Sequence, residues 1–211
     1  MREGRTQMGR PKRGDDTGRL RLLDATVALL ETTPEALIRL ETVVAKAGVT
    51  VPLVTHHFGS REQLIGEAQC QRFAALVTRD ITRVRRFLSH TDSVATFRGG
   101  LRQLVALRLK ESRNSFVVAG LIGATHARTD LARQFTAHYA RLTAAYTQVI
   151  LDAQQASIVA EEVDVRSVAN VITAVLYGLS VTMLDADVAE TDRIADTATD
   201  MLSATLKLPA A

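Results

Sequence analysis

The chain has 211 residues, 46% of them apolar, and a formal net charge of +3. The apolar share excludes an intrinsically disordered protein, and the single cysteine, Cys70, excludes an intrachain disulfide. The longest apolar run, Val171 to Leu184, is shorter and more polar than the about 20 residues a membrane span needs, and the charged N-terminus lacks the apolar run of a signal peptide.

With 12 glycines and 4 prolines against abundant Ala and Leu, the expected fold class is all-α, and the expected compartment is a reducing cytoplasm. Charge is unevenly spread. Residues 1–88 hold 15 Lys and Arg against 10 Asp and Glu, and the remainder holds 11 against 13. A basic end joined to a near-neutral end suits a nucleic-acid-binding part attached to a sensing or assembly part.

Residues 1–16 are polar, carry Gly and Pro, and show no periodicity, so they read as a flexible basic arm. Arg10, Lys12 and Arg13 cluster just before the first helix. They suit an arm that follows phosphates or enters a minor groove, and equally a solvated tail. The periodicity predicts a first helix over Thr17 to Glu31, with Leu20, Leu23, Ala25, Val27, Ala28 and Leu30 inward and Thr17 as cap. Thr32-Thr33-Pro34 stops it, although Thr33-Pro34-Glu35 also suits an early start to a longer second helix.

Leu40, Val43, Val44 and Ala47 recur at helical spacing and predict a short helix ending at Gly48. Val49 plugs the corner, and Thr50 is positioned to cap a second short helix whose first turn holds Pro52. Val54 and Phe58 form an i, i+4 pair facing the first of the two. Gly59 ends the second helix, and Ser60 with Gln63 forms a capping box for the next. Two short helices around a tight Gly-containing turn make a helix-turn-helix.

The run AKAGVT followed by HHFGSREQL resembles the signature of the TetR family of bacterial transcription regulators. Ala47, Gly48, Val49, Thr50, His57, Phe58, Ser60, Glu62 and Leu64 match that signature as they stand, and Arg61 replaces its usual Lys. The chain departs at Thr55, where the family usually has Tyr, at Val44, where Ala is usual, and at Ile38 and Arg39, where Thr and Ser cap the helix. The resemblance implies a three-helix DNA-binding domain over 17–63 and a C-terminal helical ligand-binding and dimerisation domain over 64–211.

Beyond the motif, one long helix is predicted from Ser60 to Leu88, with Leu64, Ala68, Phe73, Leu76, Val77, Ile81, Val84 and Leu88 on one face. Arg79, Arg83, Arg85 and Arg86 near its end read as helix-end stabilisation before a second DNA contact. Further helices are expected over Thr91 to Lys110, Asn114 to Ala127, Asp130 to Ala156, Val163 to Leu184 and Thr191 to Leu206. The Val163–Leu184 helix is apolar almost all round and must be covered on every side. A second copy of the chain is the expected cover, through a four-helix bundle built from the last two helices.

The recognition helix offers Thr50, Val51, Pro52, Leu53, Thr55 and His56 to the major groove, while Lys46, Arg61 and the Arg10–Arg13 cluster meet phosphates. The expected effector-binding residues are Phe97, Leu101, Phe116, His126, Phe135, His138, Tyr139, Tyr146, Asn170 and Tyr177, more aromatic and polar groups than a plain core needs. His56 and His57 point about 100° apart on a helix and cannot share a metal. No phosphate loop, nucleophile motif or metal-ligand spacing appears, so neither catalysis nor a cofactor is expected. Cys70 reads as a redox sensor or an inert buried thiol.

These features predict a homodimeric, ligand-responsive regulator on double-stranded DNA with no membrane partner, and the resemblance implies a repressor that leaves an inverted-repeat operator when a small molecule binds. The alternative is a constitutive DNA-binding dimer without ligand. A ligand-sized cavity among the helices from Thr91 to Leu184 would separate the two, since the alternative needs only a solid core.

Overall fold

The computed structural model describes residues 13–89, 91–111, 120, 122, 125, 128–182 and 188–209. The fold is all-α. The chain divides into two compact units, Met1–Gln71 and Arg72–Ala211. The expected helix over 114–127 lies largely outside the described residues.

In the first unit, α1 spans Arg13–Leu30, a 3-10 turn spans Glu35–Leu37, α2 spans Leu40–Ala47 and α3 spans Val51–Phe58. Helix α4, Arg61–Leu88, starts in this unit and ends in the second. α1 begins before the expected Thr17, and its inner face is rotated from the expected one. Leu20 is 57% exposed, whereas Leu22 is fully buried beside Leu23, Ala25, Thr26 and Leu30. The buried Thr26 hydroxyl donates to the Leu22 carbonyl at 2.7 Å, which lets a polar residue occupy the core-facing stripe. The 3-10 turn settles the question at Thr33-Pro34-Glu35: the segment does not extend α2, which starts at Leu40 behind the extended N-cap Arg39.

Gly48 ends α2 with φ 63°, and its N–H reaches the Val44 and Ala45 carbonyls. A side chain there would be strained by that φ and would also meet the Arg21 guanidinium. α1 packs on both α2 and α3. Val43, Val44, Ala47, Val54 and Phe58 join Leu22, Leu64 and Ala68 in one core, with Val49 and Leu53 packed against it. The Ser60 Oγ accepts from the Gln63 N–H at 3.1 Å and caps the start of α4.

In the second unit, α5 spans Val94–Lys110, α6 Thr129–Gln155, α7 Val165–Thr182 and α8 Val188–Thr205. α5 starts at a full capping box between Ser93 and Thr96. α5 packs on α7 and α8, and α7 packs on α6 and α8. At Gly100 the backbone of α5 comes so close to α4 that an added Cβ would lie 2.1 Å from the Phe87 carbonyl oxygen. α7 is not covered all round: Val168, Ala169, Ile172, Leu176 and Tyr177 are buried, while Val171 is 45% exposed. On α8, Ala195, Ala198, Leu202 and Leu206 are buried, and Met201 is 61% exposed. No helix among the described residues is long and apolar enough to cross a membrane.

Candidate nucleic-acid interface and a buried polar cluster

Helix α3 presents Val51, Pro52, Thr55 and His56 on its exposed side, and Val54 and Phe58 on its buried side. The alternation follows from helical spacing, and α1 fixes it. A Cβ on Gly18 would lie 2.7 Å from Leu53 Cδ2, so α1 and α3 touch here and a side chain at position 18 would have to displace Leu53. Leu53 is therefore partly committed to packing, leaving Val51 and Pro52 as the exposed apolar groups. The Arg19 guanidinium covers the Phe58 ring at 5.1 Å and also pairs with Glu67.

Thr50 stands at the N-cap in extended conformation, but its side chain makes no cap bond, contrary to expectation. The reason is local. Pro52 has no N–H to donate, and the Leu53 N–H goes to the Thr50 carbonyl at 3.1 Å. The exposed Thr50 hydroxyl is thus not used by the helix start. Lys46 is exposed in the last turn of α2. Arg61 is placed differently. Its Nε donates to the Ile38 carbonyl at 2.8 Å and its Nη2 to the Glu35 carbonyl at 2.6 Å, and Nη1 reaches Glu62 at 3.3 Å. Arg10 and Lys12 lie outside the described residues, as does the side chain of Arg13.

The second unit holds a buried charged cluster. Arg108 on α5 donates through Nη1 to Asp80 Oδ2 at 3.1 Å. The Tyr177 hydroxyl on α7 donates to the same oxygen at 3.2 Å, and the Arg108 guanidinium carbon lies 4.0 Å from the Tyr177 ring centre. Arg83 pairs with Asp80 Oδ1 at 3.6 Å and holds Glu111 through two bonds of 2.9 and 2.5 Å. Burial raises the Asp80 carboxyl above the ordinary range despite the opposing field of Arg108, Arg79 and Arg83. Burial likewise raises the phenols of Tyr146 and Tyr177. Asp80, Arg83, Leu104, Arg108, Tyr146, Leu176 and Tyr177 line a cavity of about 20 Å³. A separate open groove of about 790 Å³ is lined by residues between Thr78 and Ser89 and between Arg141 and Asp152.

The expected effector residues fall into five groups. Phe135, His138, Tyr139 and Tyr177 come together around the buried Phe73, with ring centres 4.8 to 6.3 Å apart. Tyr146 belongs to the charged cluster. Phe97 and Leu101 are buried core residues, and Asn170 is exposed on α7, its amide donating to the Arg166 carbonyl at 3.0 Å. Phe116 and His126 lie outside the described residues. Sequence reasoning missed Asp80, Arg83 and Arg108. A signal was present: Asp80 interrupts the stripe Leu76, Val77, Val84, and Arg108 the stripe Leu101, Leu104, Val105. Opposite charges at core positions of two helices mark a buried pair.

Residues 22–68 match the sequence pattern of the family described as bacterial regulatory proteins, tetR family. No curated protein matches the chain. Among solved structures, Salmonella enterica GusR is 22% identical with a TM-score of 0.66, over 96% of this chain and 100% of that one. A TetR-family transcriptional regulator of Pectobacterium atrosepticum is 17% identical with a TM-score of 0.69, over 95% and 100%. The FadR regulator of Bacillus subtilis, solved in complex with stearoyl-CoA, is 12% identical with a TM-score of 0.53, over 87% and 96%. The helix-turn-helix geometry and the matching segment make residues 22–68 a DNA-binding segment of the tetR-family type, and the solved structures share the fold of the chain around it.

Proposed function

We propose that the chain is a homodimeric repressor that binds an inverted-repeat operator and leaves it when a small molecule binds the second unit. On the DNA side, α3 enters the major groove. Val51 and Pro52 suit thymine methyls, Thr55 and His56 read polar base edges, and Thr50 and Lys46 bond phosphates. The arm with Arg10, Lys12 and Arg13 adds further phosphate contacts. With no Arg or Asn on α3, groove shape contributes much of the specificity. The dimer forms through the outward faces of α7 and α8, where Val171 and Met201 are exposed.

The observation that carries the ligand-responsive reading is the course of α4. One uninterrupted helix starts at the cap that follows α3 and carries Asp80 and Arg83 in the buried cluster. A ligand that moves Asp80 moves the helix, because packed helices shift as units. A regulator of this fold has been solved with a small molecule bound, as the FadR complex records. The second reading, a constitutive DNA-binding dimer, draws support from the cavity size. About 20 Å³ is far below the about 300 Å³ of small ligand sites, so the ligand must open the space it occupies.

Linkage supplies the test. If the ligand lowers operator affinity, operator DNA lowers ligand affinity by the same factor, expected at about five- to a hundred-fold. Calorimetric titration of a ligand that releases the operator, with and without operator DNA, measures both. Equal affinities in the two titrations would establish the constitutive reading.

A further inference from the structure

We propose that Arg108 anchors the carboxylate of the effector, and that the effector is a small aromatic carboxylic acid bound as its anion. This names the ligand class of the site above and rests on the reading that the second unit binds an effector.

Arg108 is 4% exposed. Its Nη1 is satisfied by Asp80, but its Nε and Nη2 have no hydrogen-bond partner among the described residues. A buried guanidinium with unmade bonds is costly, because each orphaned donor forfeits its hydration. Those two nitrogens form one edge of the planar fork, with parallel N–H bonds spaced to meet both oxygens of a carboxylate. Arg108 lines the cavity, whose about 20 Å³ suits one or two waters or a carboxylate head.

Charge points the same way. Among the described residues, Asp80, Glu111, Arg79, Arg83 and Arg108 form one connected set in which cations outnumber anions. The existing carboxylates are already engaged: Asp80 by Arg83, Arg108 and Tyr177, and Glu111 by Arg79 and Arg83. The free edge of Arg108 therefore awaits an acceptor from outside the set.

The ligand's body cannot fit where its carboxylate does. Tyr177, which covers Arg108, is also the end of the ring cluster formed by Phe73, Phe135 and Tyr139. Phe135 and Tyr139 are only half-buried. A flat apolar body attached to an anchored carboxylate reaches this ring cluster through Tyr177, and offset or edge-to-face contacts with its rings are favourable.

The test uses the full-length protein and three probes, benzoate, phenylacetate and 1-naphthoate, each compared with its carboxamide by calorimetry. The amide keeps the shape and removes the anion. At least one acid should bind one per chain and about tenfold or more tighter than its amide. Arg108→Lys keeps the charge beside Asp80 but removes the fork, and should weaken that acid about tenfold or more while leaving the amide unchanged. The acid-to-amide comparison in the unsubstituted protein decides the matter even if Arg108→Lys does not fold. No saturable binding by any acid, equal binding of acid and amide, or binding indifferent to Arg108→Lys would overturn the proposal. Operator release is read separately. An acid held by Arg108 that leaves operator affinity unchanged supports the site and refutes the ligand-responsive reading. Release by an uncharged molecule, with no acid bound, does the reverse.

Discussion

Lys46 and Arg61 are both cations close to α3, but their surroundings give them different work. Arg61 ties the 3-10 turn to the start of α4 through the Glu35 and Ile38 carbonyls, whereas Lys46 stands exposed in the last turn of α2. Lys46→Ala should therefore leave thermal stability unchanged and lower the salt slope of operator binding by about one. Arg61→Ala should cost about 1–3 kcal/mol of stability with an unaltered slope. Titrating affinity against salt, with melting curves for both variants, separates the two effects. Asp80 belongs to the same scale. Asp80→Ala leaves Arg108 buried without its anion and should cost about 3–5 kcal/mol, while Asp80→Leu combined with Arg108→Met should cost less than the single change. Denaturant midpoints measure this non-additivity. The pH effect has a definite sign. Because burial raises the Asp80 carboxyl, the folded state holds that proton more tightly than the unfolded chain does. The resulting stabilisation is present at low pH and fades as pH rises through the raised value. The doubly substituted protein should lack that component.

At the scale of elements, local punctuation was legible and long-range pairing was not. Gly48, Gly59, Ser60 and the Val54–Phe58 spacing announce the helix-turn-helix, because each acts within a few residues of itself. The inner face of α1 was harder. Leu20 and Leu22 are equally apolar, and only the positions of α2 and α3 decide which is buried. The Thr50 cap failed for a reason that Pro52 already contained. Asp80 and Arg108 lie 28 residues apart on different helices, so no periodicity links them. Gly100 is another such case: in sequence it weakens a helix, and in the fold it lets α5 meet the end of α4. Gly100→Ala would put a Cβ against the Phe87 backbone carbonyl, an atom that cannot rotate away. It should cost about 1–3 kcal/mol, as overpacking does, although alanine is the better helix former. Gly99→Ala, where the space is open, is the control and should be neutral or stabilising by comparison. Chemical denaturation of both variants checks the contrast.

For the molecule as a whole, the proposed two-fold symmetry decides whether one weak recognition helix is enough. α3 offers apolar groups, a threonine and a histidine, with no bidentate reader of a base. Specific affinity must then come from two such helices bound at once, which multiplies their modest contributions through effective concentration. In the proposed dimer, the exposed apolar side chains on α7 and α8 are where the second copy attaches. Val171 and Met201 are exposed, whereas Val175 is half-buried and so a poorer place for a charge. Val171→Glu with Met201→Glu should give a folded monomer, because neither side chain contributes to the core of its own chain. That monomer should keep its affinity for a single half-site and lose about a hundred-fold or more on the full inverted repeat. Sedimentation gives the mass, and binding to half-site and full-site duplexes gives the two affinities. A dimer in the doubly substituted protein would place the interface on another face. A monomer that still binds the full repeat tightly would show that one helix and its arm suffice, and the operator would then need no symmetry.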